Sequence, residues 1–76
     1  MMEDFYEELA VILEEEVVRR DDVLEDFEEW DSLTSLAIVA MLSEKYGVEV
    51  RGGDLETIVS AGDLEDLVQA RLSAGE

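Results

Sequence analysis

Apolar side chains recur at three- and four-residue spacing along the first part of the chain. They fall on one face of a helix between residues 3 and 20, and acidic side chains fill the opposite face. Acids in the first turn, with Arg19 and Arg20 in the last, agree with the helix dipole. We therefore predict a long amphipathic helix over about residues 3–20, with an apolar face made of Phe5, Leu9, Ile12, Leu13 and Val17.

Residues 21–31 lose this spacing. Six acids between Asp21 and Glu29 surround isolated apolar side chains, and no helical period is sustained. A connection of this length without regular structure is typical of a functional or well-packed loop. We predict a structured loop held to the core by Val23, Leu24, Phe27 and Trp30.

A second helix is predicted over about residues 32–46. Asp31 is a good N-cap residue, Lys45 lies in the last turn and Gly47 is suited to the C-cap. This helix carries two apolar stripes: Ile38, Val39, Leu42 and Tyr46 form the first, and Leu33, Leu36, Ala37 and Ala40 form the second. A small domain buries one wide face of a helix, so the second stripe is either additional core or an exposed docking face.

The remaining residues predict a short extended segment over 48–51, a flexible turn at Gly52 and Gly53, a short helix over about 54–59 and a last helix over about 61–73. Asp54 is the expected cap of the short helix, and Ser60 and Asp63 fit a capping box. The fold class is thus all-α, a small bundle of three main helices plus one short helix in a single domain of residues 1–76. Its predicted core is Phe5, Leu9, Ile12, Leu13, Leu24, Phe27, Ile38, Val39, Leu42, Tyr46, Val50, Leu55, Ile58, Leu64, Leu67 and Val68.

Composition excludes several functions. The chain has 22 acidic and 5 basic residues and a net charge of −17, which disfavours binding to nucleic acid or to anionic membranes. It has no histidine and no cysteine, so a zinc site of nitrogen and sulfur ligands, a disulfide and a Ser-His or Cys-His pair are all impossible within it. We expect a monomeric, cytoplasmic protein that is not an enzyme and whose partners carry positive charge.

Residues 30–50 resemble the phosphopantetheine attachment region of acyl carrier proteins. That family has Asp-Ser-Leu at the start of a helix, then an apolar pattern, an acid, an aromatic residue and a β-branched pair. The order of helices agrees over nearly the full length. The matching positions are Asp31, Ser32, Leu33, Leu36, Ile38, Val39, Leu42, Glu44, Tyr46, Val48 and Val50.

The resemblance implies a cofactor. In such carriers a phosphopantetheinyl transferase, using coenzyme A and a divalent metal, attaches 4′-phosphopantetheine to the serine, which is Ser32 here. The thiol of that arm then holds an acyl or aminoacyl group as a thioester. Asp31 would cap the helix and help the transferase to recognise the site. The simpler interpretation of Ser32 is an ordinary residue of a helix N-terminus.

The chain departs from the best-known carriers in two places. Glu28 and Glu29 stand where those have a glycine, and the exposed face of the second helix, which is lined with acids in those carriers, has Glu44 as its only acid here. We therefore expect acyl-loading and acyl-using enzymes with basic docking surfaces to contact an apolar face, and we expect a carrier dedicated to one biosynthetic pathway. The predicted partner contacts are Leu33, Leu36, Ala37, Ala40 and Glu44.

Two alternatives remain open on the residues alone. One is an unmodified acidic module that binds a basic protein. The other is a carboxylate metal site in the acidic loop, but that loop lacks the alternating spacing of a calcium-binding loop, and we predict no metal ligands.

Overall fold

A computed structural model describes residues 3–74 of the chain. It contains four α-helices, α1 (Glu3–Leu13), α2 (Ser32–Tyr46), α3 (Gly52–Glu56) and α4 (Ala61–Ala74), with a 3-10 turn at Leu24–Asp26. No strand occurs within these residues, where pairing is limited to one isolated bridge between Val23 and Ser60. The all-α class and the number of helices are as predicted.

Helix α1 ends at Leu13. Glu14 has a left-handed φ of 57°, and its N–H donates to the Val11 carbonyl at 3.2 Å. The Glu15 N–H donates to the Ala10 carbonyl at 2.8 Å. This pair of bonds is the Schellman motif, which closes a helix and turns the chain away.

The predicted helix over residues 3–20 is therefore wrong in its second half. Residues 14–16 are three consecutive acids, at the end of a helix where the dipole disfavours negative charge. Val17 is 58% exposed and not on a buried face, whereas Val18 is 6% exposed and belongs to the core. The connection to α2 is accordingly longer than the predicted loop over 21–31.

The loop is ordered by its own apolar residues and by backbone hydrogen bonds to the segment before α4. Leu24 is 1% exposed, and its N–H donates to the Val59 carbonyl at 3.0 Å. The Ala61 N–H donates to the Asp22 carbonyl at 2.9 Å. The other predicted anchors, Val23, Phe27 and Trp30, are half-buried, so the prediction of a structured loop is confirmed.

Arg20 joins the loop to α4 through four hydrogen bonds. Its Nη1 donates to Glu65 Oε1 at 2.8 Å, to Asp66 Oδ1 at 3.2 Å and to the Gly62 carbonyl at 3.5 Å, while Nη2 donates to Asp66 Oδ2 at 2.9 Å. The Tyr6 hydroxyl donates to the same Glu65 oxygen at 2.7 Å. Glu65 is 9% exposed, so a nearly buried carboxylate links α1, the loop and α4.

Gly62 allows this close approach. Its N–H donates to the Arg20 carbonyl at 2.8 Å. A Cβ at this position would lie 2.6 Å from Arg20 Cγ and 2.9 Å from the Arg20 carbonyl oxygen, both closer than contact allows. We expect Gly62→Ala to lower the free energy of unfolding by about 1–3 kcal/mol, because the loop must move away from α4.

Gly53→Ala is the matched control for that change. Nothing lies within 4 Å of a Cβ built on Gly53, which is in helix α3. Alanine there is expected to be neutral or to stabilise by up to about 1 kcal/mol. Chemical denaturation of both variants tests the difference, and equal losses of stability would contradict the close approach at Gly62.

The burial of Tyr6 makes the folded protein lose stability at high pH. The pKa of Tyr6 is raised from 10.0 to about 12. Desolvation is the larger cause, and the hydrogen bond to Glu65 adds to it. The folded protein therefore holds this proton more tightly than the unfolded chain does. The resulting stabilisation is fully present below pH 10 and is lost as the pH rises through about 12.

We expect the melting temperature of the wild type to fall more steeply between pH 10 and pH 12 than that of Tyr6→Phe. At neutral pH Tyr6→Phe is less stable than the wild type, because it removes the Glu65 hydrogen bond. Tyr46→Phe is the control for this loss at neutral pH, since the buried Tyr46 hydroxyl has no hydrogen-bond partner among the described residues. Parallel curves for the wild type and Tyr6→Phe would contradict the account.

The start of α4 is as predicted, but the short helix is displaced. The Ser60 N–H donates to Asp63 Oδ2 at 3.2 Å and the Asp63 N–H to Ser60 Oγ at 3.1 Å, which confirms the capping box. Helix α3 spans Gly52–Glu56 instead of 54–59, because the Asp54 carboxylate accepts the Arg51 N–H at 3.1 Å from within the helix. The two glycines thus form its first turn and not a separate flexible turn.

Among the described residues the core contains thirteen buried apolar side chains, and nine of them were predicted. The four that were missed are Ala10, Val18, Val48 and Ala61, of which two are alanines and two lie outside the helices. The other predicted core residues pack against this cluster but are only half-buried: Ile12, Phe27, Val39, Tyr46, Leu55, Ile58 and Leu67.

Ion pairs also join the helices at the surface. Lys45 of α2 pairs with Glu8 of α1, and Arg71 of α4 pairs with Asp54 of α3.

Candidate functional site

Asp31 caps the N-terminus of α2. Its Oδ1 accepts the Thr34 N–H at 2.8 Å and the Thr34 hydroxyl at 2.6 Å, and its own N–H donates to Thr34 Oγ1 at 2.8 Å. These two bonds hold the pKa of Asp31 below its usual range, and the bond from the Thr34 hydroxyl has a larger effect than the bond from its N–H. The predicted N-cap is confirmed, and Thr34 completes it as the partner that sequence reasoning did not name.

Ser32 is the first residue of α2 and is exposed. Its carbonyl accepts the Ser35 hydroxyl at 3.0 Å, whereas its own hydroxyl makes no hydrogen bond within residues 3–74. A phosphodiester on this oxygen would lie beside the N-terminal N–H groups of the helix, where the dipole favours an anion. The position therefore suits a covalently attached phosphate group.

The second apolar stripe of α2 is exposed. Leu33 is 77% and Leu36 is 65% exposed, and Ala37, Ala40 and Glu44 are also exposed. The opposite face is the core, because Ile38 and Leu42 are fully buried. The choice that the sequence left open is thus settled in favour of a solvent-exposed apolar stripe, which begins next to Ser32.

This stripe continues into a shallow groove between α1 and α2. Ile12 from α1 and Ala37, Ala40 and Met41 from α2 line the groove. The ion pair between Lys45 Nζ and Glu8 Oε2, at 3.1 Å, lies on the groove wall, and it raises the pKa of Lys45. The apolar surface of α2 thus reaches α1.

A second groove includes Ser32 in its lining. Trp30, Ser35 and Leu55 line it together with the acidic residues Glu25, Asp31 and Glu56. Its residues come from the loop, from the first turn of α2 and from α3. The groove is therefore a place where three parts of the chain meet beside Ser32.

The acidic loop forms no metal site among residues 3–74, since no three acidic side chains there converge closely enough to hold an ion. The carboxylates of the loop are instead exposed or used in local hydrogen bonds, such as that from the Arg19 N–H to Asp22 Oδ2 at 2.8 Å. The chemistry available at the site is that of a free hydroxyl on a capped helix.

Comparison with known families agrees with this geometry. The family model of the phosphopantetheine attachment site matches residues 3–68, which include every element just described except the end of α4. The chain belongs to this family of phosphopantetheine carrier domains. Its prosthetic group is 4′-phosphopantetheine, held on a serine, and the carrier domain itself is not catalytic.

A solved structure gives independent support for the fold. The holo acyl carrier protein from Geobacter metallireducens superposes with a TM-score of 0.80 at 24% identity, covering 95% of this chain and 85% of that one. No curated protein sequence matches the chain significantly. Within residues 3–74, no helix is both long and apolar enough to cross a membrane.

The residues of the chain fit the prosthetic group of the family. Ser32 supplies an exposed oxygen, and Asp31 and Thr34 fix the helix turn that carries it. Two features of the site were missed from the sequence, the role of Thr34 and the groove at Trp30. An Asp followed three residues later by a hydroxyl residue is a capping pattern that could have revealed the first. The second depends on contacts between distant segments and has no local pattern.

Proposed function

We propose that this chain is an acyl carrier protein that carries an acyl or aminoacyl intermediate on a 4′-phosphopantetheine arm attached to Ser32. The observation that supports this most directly is the exposed, unbonded Ser32 hydroxyl at the first residue of a capped helix, within the region matched by the phosphopantetheine attachment family. When attached, the prosthetic group supplies the thiol that the cysteine-free chain lacks.

The chain's own residues prepare Ser32 for modification. Asp31 and Thr34 hold the first turn of α2, so the Ser32 oxygen is presented to solvent and not to the core. In the transferase reaction this oxygen forms a phosphoester bond while the pyrophosphate bond of coenzyme A breaks. The hydroxyl proton is released and adenosine 3′,5′-bisphosphate leaves. The helix N-terminus then stabilises the new phosphodiester.

Partner enzymes would dock on the exposed apolar stripe of α2. Fourteen of the 22 acids lie between Glu3 and Asp31, whereas α2 contains one, Glu44. The loop and α1 therefore provide the long-range attraction for basic surfaces, and the stripe provides the close apolar contact. Such a division suits a carrier with few partners in one dedicated cytoplasmic pathway.

The transferase reaction tests the proposal. The purified chain is incubated with coenzyme A, Mg²⁺ and a broad-specificity phosphopantetheinyl transferase, and its intact mass is measured. We expect a gain of one phosphopantetheinyl group. An unchanged mass, under conditions that convert another carrier protein completely, would sink the proposal.

The docking stripe makes a separate prediction for the same assay. Leu36→Ser should lower the kcat/KM of the transferase for this chain by about 5- to 30-fold, because truncating an anchor at the centre of an interface costs roughly 1–2 kcal/mol. Val11→Ser is the matched control, since Val11 is 72% exposed but lies on α1. Both variants should keep the wild-type helix content. Equal rates for the two variants would show that the stripe does not contact the transferase.

A further inference from the structure

The lining of the groove that contains Trp30 includes two large apolar side chains and three acidic residues. Trp30 and Leu55 are half-buried and pack against the core, so the core limits the positions of both side chains. Glu25, Asp31 and Glu56 are the charged residues that line it, and no basic side chain does so within the described residues. Ser32, which carries the attachment oxygen, is also part of its lining.

These features favour different positions for the charged and the uncharged parts of a phosphopantetheine arm. The phosphate is an anion, and the three acidic residues that line the groove disfavour it inside. The helix N-terminus at Ser32 accommodates it outside. The next part of the arm, the pantoyl segment, is uncharged and carries two methyl groups. Those methyl groups can leave water and pack against the apolar surfaces of an indole ring and a leucine side chain.

We propose that Trp30, together with Leu55, forms the wall on which the pantoyl segment of the arm on Ser32 lies, which makes Trp30 a positioning residue for the arm. This inference rests on the proposed function, because it requires Ser32 to be the modified serine. It assigns the tryptophan a contact with the arm in addition to its packing on the core. The direction in which the arm leaves the helix is then set by the loop before α2.

The test is an NMR comparison of the apo and holo forms of the wild-type chain. We expect nuclear Overhauser contacts between the indole protons of Trp30 and the two pantoyl methyl groups in the holo form. Trp30 is the chain's single tryptophan. Its fluorescence emission should therefore shift to shorter wavelength on modification, because the arm displaces water from the ring.

A variant of the second wall residue, Leu55, separates contact with the arm from general packing. Leu55→Ala should weaken the contacts between the indole and the pantoyl methyls and reduce the fluorescence shift, while Val11→Ala should leave both unchanged. Leu55 and Val11 are both outside the fully buried core, so both variants are expected to fold.

The outcomes distinguish the two proposals. A chain that gains the phosphopantetheinyl mass on Ser32 but shows no indole-to-methyl contacts and no fluorescence shift would overturn the role of Trp30 and leave the carrier function intact. A chain that gains no mass at all would overturn the carrier function itself. Indole-to-methyl contacts that persist at full strength in Leu55→Ala would contradict the shared wall.

Discussion

We expect Ser32→Ala to abolish the mass gain with coenzyme A and transferase and to leave the fold intact. In the proposed reaction the Ser32 hydroxyl oxygen accepts the phosphopantetheinyl group, and alanine has no atom that replaces it. The cap of α2 depends on Asp31 and Thr34, and the Ser32 hydroxyl makes no hydrogen bond within residues 3–74. The change in the free energy of unfolding should therefore stay within about 0.5 kcal/mol.

Ser35→Ala is the matched control for this prediction. Ser35 lies one turn further along α2, and its hydroxyl donates to the Ser32 carbonyl at 3.0 Å. This variant should be modified to completion. A mass gain that persists in Ser32→Ala, or one that is lost in Ser35→Ala, would move the attachment site away from Ser32.

Leu42→Ala has the largest expected effect on stability. Leu42 is fully buried in the cluster that α2 shares with α1 and α4, so its truncation removes apolar contacts and leaves a cavity. Such changes cost about 2–5 kcal/mol. A domain of this size is stabilised by only a few kcal/mol, so a large part of the variant population should be unfolded at room temperature.

Leu36→Ala supplies the comparison on the same helix. Leu36 is 65% exposed, and its truncation should change the free energy of unfolding by no more than about 0.5 kcal/mol. Urea denaturation followed by circular dichroism measures both variants. Similar losses at the two positions would mean that the exposed stripe and the buried face of α2 have been assigned wrongly.

The parts of the fold that the sequence predicted well are those encoded by neighbouring residues. Asp31 and Gly47 mark the ends of α2, and Ser60 with Asp63 marks the start of α4. Each cap is formed by side chains or backbone groups within a few positions of the helix end. Local pattern is therefore sufficient to place these boundaries.

The end of α1 could not be placed in this way. Apolar spacing continues to Val17, and no glycine or proline stands at Glu14 to mark the left-handed residue that stops the helix. What holds the chain after that residue is the contact of Arg20 with Glu65 and Asp66, which are 45 and 46 positions away. Helical periodicity gives no indication of a contact between residues so far apart in the sequence.

The candidate site likewise has features that the local sequence predicts and features that depend on contacts between distant segments. N-cap chemistry placed Asp31 and Ser32 at a helix start, and the apolar pattern identified a second stripe on α2. The Asp-Ser-Leu resemblance then indicated Ser32 as the attachment residue. Whether that stripe is buried depends on which neighbours cover it, and only the structure answers this. The groove at Trp30 likewise requires the loop and α3 to meet at Ser32, which no spacing in the sequence predicts.

The central claim, that Ser32 carries the arm, is tested most directly by fragmentation mass spectrometry of the protein purified from its natural source. The account predicts one phosphopantetheinyl group, located on the peptide that contains Ser32 and on that serine itself. The chain offers other candidates in Ser35, Ser43, Ser60 and Ser73. A phosphopantetheinyl group on any of these, or a protein without the group from cells whose other carriers are fully modified, would contradict it.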